Sequence, residues 1–281
     1  MKRITFTFFV ILISFFSILN SPIIFADGLM IAPTHVVINS NQGRATVKLI
    51  NNSNKTKRYR VSFVEMTMTE KGEIKRVKSN RTSTIASDKI VFSPRRVKIP
   101  PHTSQNIRLQ LMTNNLRPGE YRSHLLFKEI PKDTSSSSIK NQVNNEHRSD
   151  DKNRLQIQLR PLIGVSIPVI LRHGNNRVHA ALSEIKLDRD GKKDIVSLKI
   201  NRSGNSSVYG NIKAYHILNG TKKEVGIIKG ISVYTNLTSR KVRFALSNTE
   251  NINLNKGYLE IVYKQKSGYG GKLIAKEKIK L

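Results

Sequence analysis

The 281-residue sequence contains no cysteine and no tryptophan, and its 19 acidic residues are far outnumbered by 49 lysines and arginines. Without cysteine there is no disulfide, no thiolate ligand for structural zinc and no thiol nucleophile, so any core is held by packing alone. Aromatic side chains make up only 6% of the chain, which leaves few platforms for stacked bases. The seven histidines, His35, His102, His124, His147, His173, His179 and His216, include no pair at metal-ligand spacing. No glycine-rich phosphate loop, paired-carboxylate signature or nucleophile elbow is present. These absences lead us to expect no enzymatic activity, no cofactor, no metal site and no small-molecule substrate.

What is present begins with an export signal. Lys2 and Arg3 precede a long apolar run that ends at Ser21, Pro22 and the small residue Ala26 before Asp27. This is the layout of a secretory signal peptide over residues 1–26, with an uncleaved anchor as the alternative. Removing Lys2 and Arg3 lowers the formal net charge from +30 to +28, so the basicity belongs to the mature chain. Such a charge favours acidic partners without specifying a fold.

After the signal, short alternating runs separated by turn residues dominate. "GLMIAPTHVVI", "RATVKLINNSN" and "KRYRVSFVEMTM" are followed by a turn at Glu70-Lys71-Gly72-Glu73 and by further runs up to Pro131. Strands at this spacing signal a β-sandwich. Residues 132–154 are rich in Ser and Asn and nearly devoid of apolar side chains, and they read as a mobile loop. A polar break at "RHGNN", residues 172–176, precedes seven more runs. The expected fold is all-β: two immunoglobulin-like β-sandwich domains in tandem, residues 27–172 and 173–281, with a cleft between them.

The segment "RLQIQLRPLIGVSIPVIL" spans residues 154–171 and places Leu155, Ile157, Leu159, Ile163, Val165, Ile167 and Val169 on one face of an unusually long strand. On periodicity alone such a stripe is core. Pro161 cannot donate a backbone hydrogen bond and marks a bulge or an edge position.

The order "RRVKIPPHTSQNIRLQL", then "LRPGEYRSHLLFKEIP", a polar loop and the alternating "RLQIQL" resembles the periplasmic pilus-assembly chaperones of the PapD-like family, in a divergent branch. That resemblance implies a periplasmic chaperone that stabilises pilus or fimbrial subunits by donating an edge strand to their incomplete sandwich, and that passes them to an outer-membrane usher. Within the donor strand, 155–171, Leu155, Ile157 and Leu159 would enter the subunit groove, while Ile163, Val165, Ile167 and Val169 would pack within the chaperone.

The family holds the subunit's terminal carboxylate with an arginine and a lysine in the cleft, and here the corresponding positions carry His35 and Gly164. Glu120, Arg122 and His124 share one face of the neighbouring strand by parity. Arg122 therefore becomes the anchor candidate, with His35 and His124 as supporting donors. The competing reading pairs Arg122 with Glu120. From another class comes an envelope module that binds polyanions, nucleic acid or lipopolysaccharide, through basic residues such as Lys57, Arg58 and Arg60. The export signal and the scarcity of aromatics weigh against nucleic acid.

Overall fold

The computed structural model describes residues 28–77, 84–113, 115–131, 164–191, 193–247, 249, 252–266, 268 and 270–281. Those residues form eighteen strands and no helix. Eleven belong to the first sandwich: β1 (Leu29–Ala32), β2 (Val36–Asn39), β3 (Arg44–Asn51), β4 (Lys57–Val64), β5 (Met66–Met68), β6 (Ile74–Arg76), β7 (Ile90–Ser93), β8 (Arg96–Ile99), β9 (Ser104–Leu111), β10 (Gly119–Glu129) and β11 (Gly164–His173). One sheet runs β1-β3-β9-β7 and the other β2-β11-β10-β4-β8, while β5 and β6 form a separate hairpin.

Alternation builds this sandwich. In β4 the side chains of Tyr59 and Val61 are buried and Arg60 is exposed, and in β8 Val97 and Ile99 are buried between exposed Arg96 and Lys98. The inward residues meet in one core that includes Ile38, Leu49, Ile107, Leu125, Phe127, Val169 and Leu171. The Tyr121 hydroxyl donates to the Arg117 carbonyl at 2.8 Å, four residues upstream. This is the tyrosine corner of immunoglobulin-like sandwiches, and it fixes the entry into β10.

The N-terminal run changes sheets. β1 pairs antiparallel with β3, and after Pro33 and Thr34 the chain crosses over so that β2 pairs parallel with β11. "GLMIAPTHVVI" is therefore two strands, where the sequence reads as one.

The second sandwich contains β12 (Val178–Asp190), β13 (Lys193–Gly204), β14 (Val208–Leu218), β15 (Thr221–Val233), β16 (Ser239–Ala245), β17 (Tyr258–Gln265) and β18 (Leu273–Lys280). Its sheets are β12-β13-β16 and β15-β14-β17-β18, closed over a core that includes Ile200, Ile212, Val233, Leu259 and Tyr263. A third, smaller apolar cluster joins the two sandwiches: Met68, Ile170 and Val37 from the first meet Tyr234 and Leu237 from the second.

Candidate functional site

Two features of the first sandwich stand apart from its core, a cleft at the junction and an open strand edge. The cleft arises because the outward face of β10, at its Gly119 end, turns toward the second sandwich. Glu120, Arg122 and His124 all point that way.

Glu120 is the polar centre of the junction. Its side chain is fully buried, and Oε2 accepts hydrogen bonds from the Ser207 backbone N–H at 2.9 Å and hydroxyl at 2.8 Å. Arg172 Nε donates to the same oxygen at 3.1 Å, and its Nη2 donates to the Ser207 carbonyl at 3.0 Å. A buried carboxylate is costly unless paired, and here the pairing crosses between domains. Glu120 is thus committed to Arg172 and Ser207, which corrects the pairing of Glu120 with Arg122.

Arg122 makes different contacts. Its Nη2 donates to the Met66 carbonyl and to Asn236 Oδ1, both at 3.2 Å, and its guanidinium lies over the Tyr234 ring at 3.8 Å. Nη1 has no hydrogen-bond partner among the described residues. Asn236 reaches back with its own amide to the Met68 carbonyl at 3.0 Å.

The loops that present Ser207 and Asn236 are held by Arg202, a residue the sequence does not single out. Its buried guanidinium donates to the carbonyls of Leu237, Gly204 and Ser206 at 2.8 to 2.9 Å. Nothing in "INRSGNSS" announces this role, because the three carbonyls come from two separate loops.

Arg122, Lys89 and Arg117 line a cleft of 940 Å³ together with Glu65, Tyr121 and Asn236. Glu65 is engaged by the hydroxyls of Ser87 at 3.0 Å and Ser123 at 2.8 Å. Glu120 Oε2 is taken by Ser207 and Arg172, while Oε1 has no hydrogen-bond partner among the described residues. With Glu65 engaged by serines, the three cations Lys89, Arg117 and Arg122 outnumber the two carboxylates that line the cleft.

His35 and His124 sit behind the cleft rather than in it, each only 3% exposed. His35 stacks on Tyr209 of the second sandwich with ring centroids 4.0 Å apart, and His124 meets Tyr234 edge-on. Burial, then the charges of Arg172 and His124, push the His35 imidazole down to about 4. Burial and the Arg122 charge do the same for His124, also to about 4. Both rings are therefore neutral near pH 7. Gly164 lies opposite Lys128, at the end of β11 remote from the junction where Arg172 faces Glu120. The structure therefore does not bring His35, Gly164 and Arg122 to one surface.

The second feature is the edge of β11. On one side it pairs with β10 along its whole length, from Gly164 to His173. On the other, β2 covers only Val169–Arg172. From Gly164 to Pro168 that side has no partner strand among the described residues. Ile167 and Val169 are buried in the first core, whereas Val165 is 37% exposed. Leu155, Ile157, Leu159, Pro161 and Ile163, with the loop 132–154 and the signal segment, lie outside the described residues.

No protein-family model matches the sequence. No curated protein matches it either. The fold is similar to solved structures of fimbrial chaperones. The YadV chaperone is 13% identical, with 90% of this chain and 99% of that chain covered at a TM-score of 0.42. The class 5 fimbriae chaperone CfaA is 14% identical over 85% of this chain and 92% of that chain, at 0.41. The CsuC–CsuE chaperone–tip adhesion subunit pre-assembly complex of Acinetobacter baumannii gives 14% identity, coverage of 88% and 97%, and a TM-score of 0.44.

Proposed function

We propose that this chain is a periplasmic chaperone for pilus or fimbrial subunits, delivering them to an outer-membrane usher. In this reading residues 27–172 form the domain that lends a strand and residues 173–281 the domain that completes the cleft. The observation that carries it is the edge of β11 between Gly164 and Pro168, which has no partner strand among the described residues and follows directly on the apolar stripe of the sequence at 155–163. An unpaired strand edge invites aggregation, and a protein that keeps one retains it for pairing with another chain. Leu155, Ile157 and Leu159 fill the groove of an incomplete subunit sandwich while the backbone completes its ladder. Arg122 grips the subunit's terminal carboxylate in the cleft, with His35 and His124 shaping the wall behind it.

The test is co-expression with a subunit that lacks its last strand. The double variant Ile157→Asp, Leu159→Asp keeps its circular dichroism and its thermal transition but no longer co-purifies with the subunit, because each carboxylate would be buried unpaired. Unfolding of the variant would instead make those residues core and end the strand-donation reading. For the anchor, Arg122→Ala is compared with Asn236→Ala, which loosens the same junction but leaves the guanidinium. Capture lost only in the Arg122 variant supports anchoring. Equal loss in both reduces Arg122 to a junction residue.

A further inference from the structure

The outward face of the first sandwich carries a block of cations that the proposed chaperone reading does not use. Arg60 stands directly opposite Arg96 on one side and Lys128 on the other, and Arg58 stands opposite Lys98. All five project away from the core, since their neighbours Tyr59, Val61, Val97 and Phe127 point inward. Directly opposed side chains in an antiparallel pair lie about 5 Å apart, and like charges there work against the sheet. No carboxylate forms a salt bridge with any of the five among the described residues. The nearest acidic side chain on these strands, Glu129, pairs with Lys57 on the inward side, at 3.2 Å.

The opposite sheet of the same sandwich is basic in a different way. There Lys48 faces Asn106 and Arg108 faces Thr46, so each charge has a neutral cross-strand partner. Three like-charge pairs across three adjacent strands are thus a local feature of one face, beyond the chain's general basicity.

We infer that this face docks on the surface of an anionic lipid bilayer, with Arg58, Arg60, Arg96, Lys98 and Lys128 reading its headgroup phosphates. Two observations favour a lipid surface over a compact acidic protein. The patch is the outward face of a five-stranded sheet rather than a pocket, and it belongs to a chain whose formal net charge of +30 attracts an extended anionic surface from every orientation.

The experiment is sedimentation of the mature chain with vesicles of pure phosphatidylcholine and of phosphatidylcholine with phosphatidylglycerol. The expected result is binding only to the anionic vesicles, declining with salt. The triple variant Arg60→Glu, Arg96→Glu, Lys128→Glu should weaken partitioning about a hundredfold. The triple variant Arg44→Glu, Lys48→Glu, Arg108→Glu makes the same change in net charge on the opposite sheet and should weaken it less than about threefold, from the long-range field alone. Equal weakening by both would leave only general basicity and overturn the assignment, as would a failure of the parent chain to bind. A DNA duplex that binds the same face more tightly than the vesicles would also overturn it. Arg60→Glu alone guards against a folding artefact: it converts two like-charge pairs into opposite-charge pairs, so it should raise the melting temperature while lowering vesicle binding. A lowered melting temperature would show that these cations serve the fold.

Discussion

The Glu120 carboxylate of the first sandwich accepts two hydrogen bonds from Ser207 of the second, 2.9 Å from its backbone N–H and 2.8 Å from its hydroxyl. Because Arg172 shares the same oxygen, removing the carboxylate strands a buried donor and a half-buried guanidinium together. Glu120→Ala should cost about 2–4 kcal/mol. It should also separate a single urea transition into two, as the sandwiches lose their polar tie. A variant within about 0.5 kcal/mol of the parent would assign the junction to its apolar cluster alone.

Arg202→Lys tests whether the junction loops depend on a planar fork. One ammonium cannot reach the carbonyls of Leu237, Gly204 and Ser206 at once, so buried acceptors are left unpaired. A loss of about 2 kcal/mol or more is expected in chemical denaturation. Unchanged stability would mean that water replaces the lost donors.

The buried histidines set an acid limit. Folded His35 and His124 titrate near 4, whereas an unperturbed histidine titrates near 6.5, so the unfolded chain binds more protons between those values. Stability is complete above about pH 6.5 and declines as the pH falls toward about 4, by roughly 1.4 kcal/mol per pH unit for each ring. His35→Phe with His124→Leu should flatten the dependence of melting temperature on pH over that window. An unchanged slope would place the acid sensitivity elsewhere.

The hairpin of β5 and β6 rests on the second sandwich at Gly72. This glycine has φ +85°, a backbone conformation that an L side chain adopts only with strain, and a Cβ there would meet the Arg240 guanidinium. The same turn accepts a hydrogen bond from Lys241 N–H at the Glu70 carbonyl, at 2.7 Å. Gly72→Ala should therefore lift the hairpin, and hydrogen exchange should show the Lys241 amide losing protection while the β10 amides keep theirs.

Much of this architecture was legible in the sequence. Alternation locates strands from "RATVKLINNSN" to "KLIAKEKIKL", and the Glu70–Glu73 turn is the tip of a hairpin. The "RHGNN" break is shorter than the sequence suggests, since Arg172 and His173 still belong to β11 and only the residues from Gly174 separate it from β12. What alternation cannot supply is which strand lies beside which. It gave no sign that the first run divides between two sheets, nor that Glu120 is matched to a serine 87 residues away. Parity placed Glu120, Arg122 and His124 on one face but not their partners, since Ser207, Tyr234 and Asn236 arrive from loops and strand ends of another domain. The "LRPGEY" stretch did hold one readable sign, the tyrosine corner at Tyr121, which rests on local spacing.

The crossing of the N-terminal run at Pro33 and Thr34 has a consequence for length. Upstream of it the chain belongs to β1 and serves β3, and downstream it belongs to β2 and shields β11 from Val169 onward. The residue at which one strand exchanges sheets therefore works as a ruler: it decides how many residues of β11 are kept for the protein itself and how many stand open. Moving that crossing two residues earlier would seal Ile167 behind its own chain, and moving it later would lengthen the exposed edge at the expense of the junction.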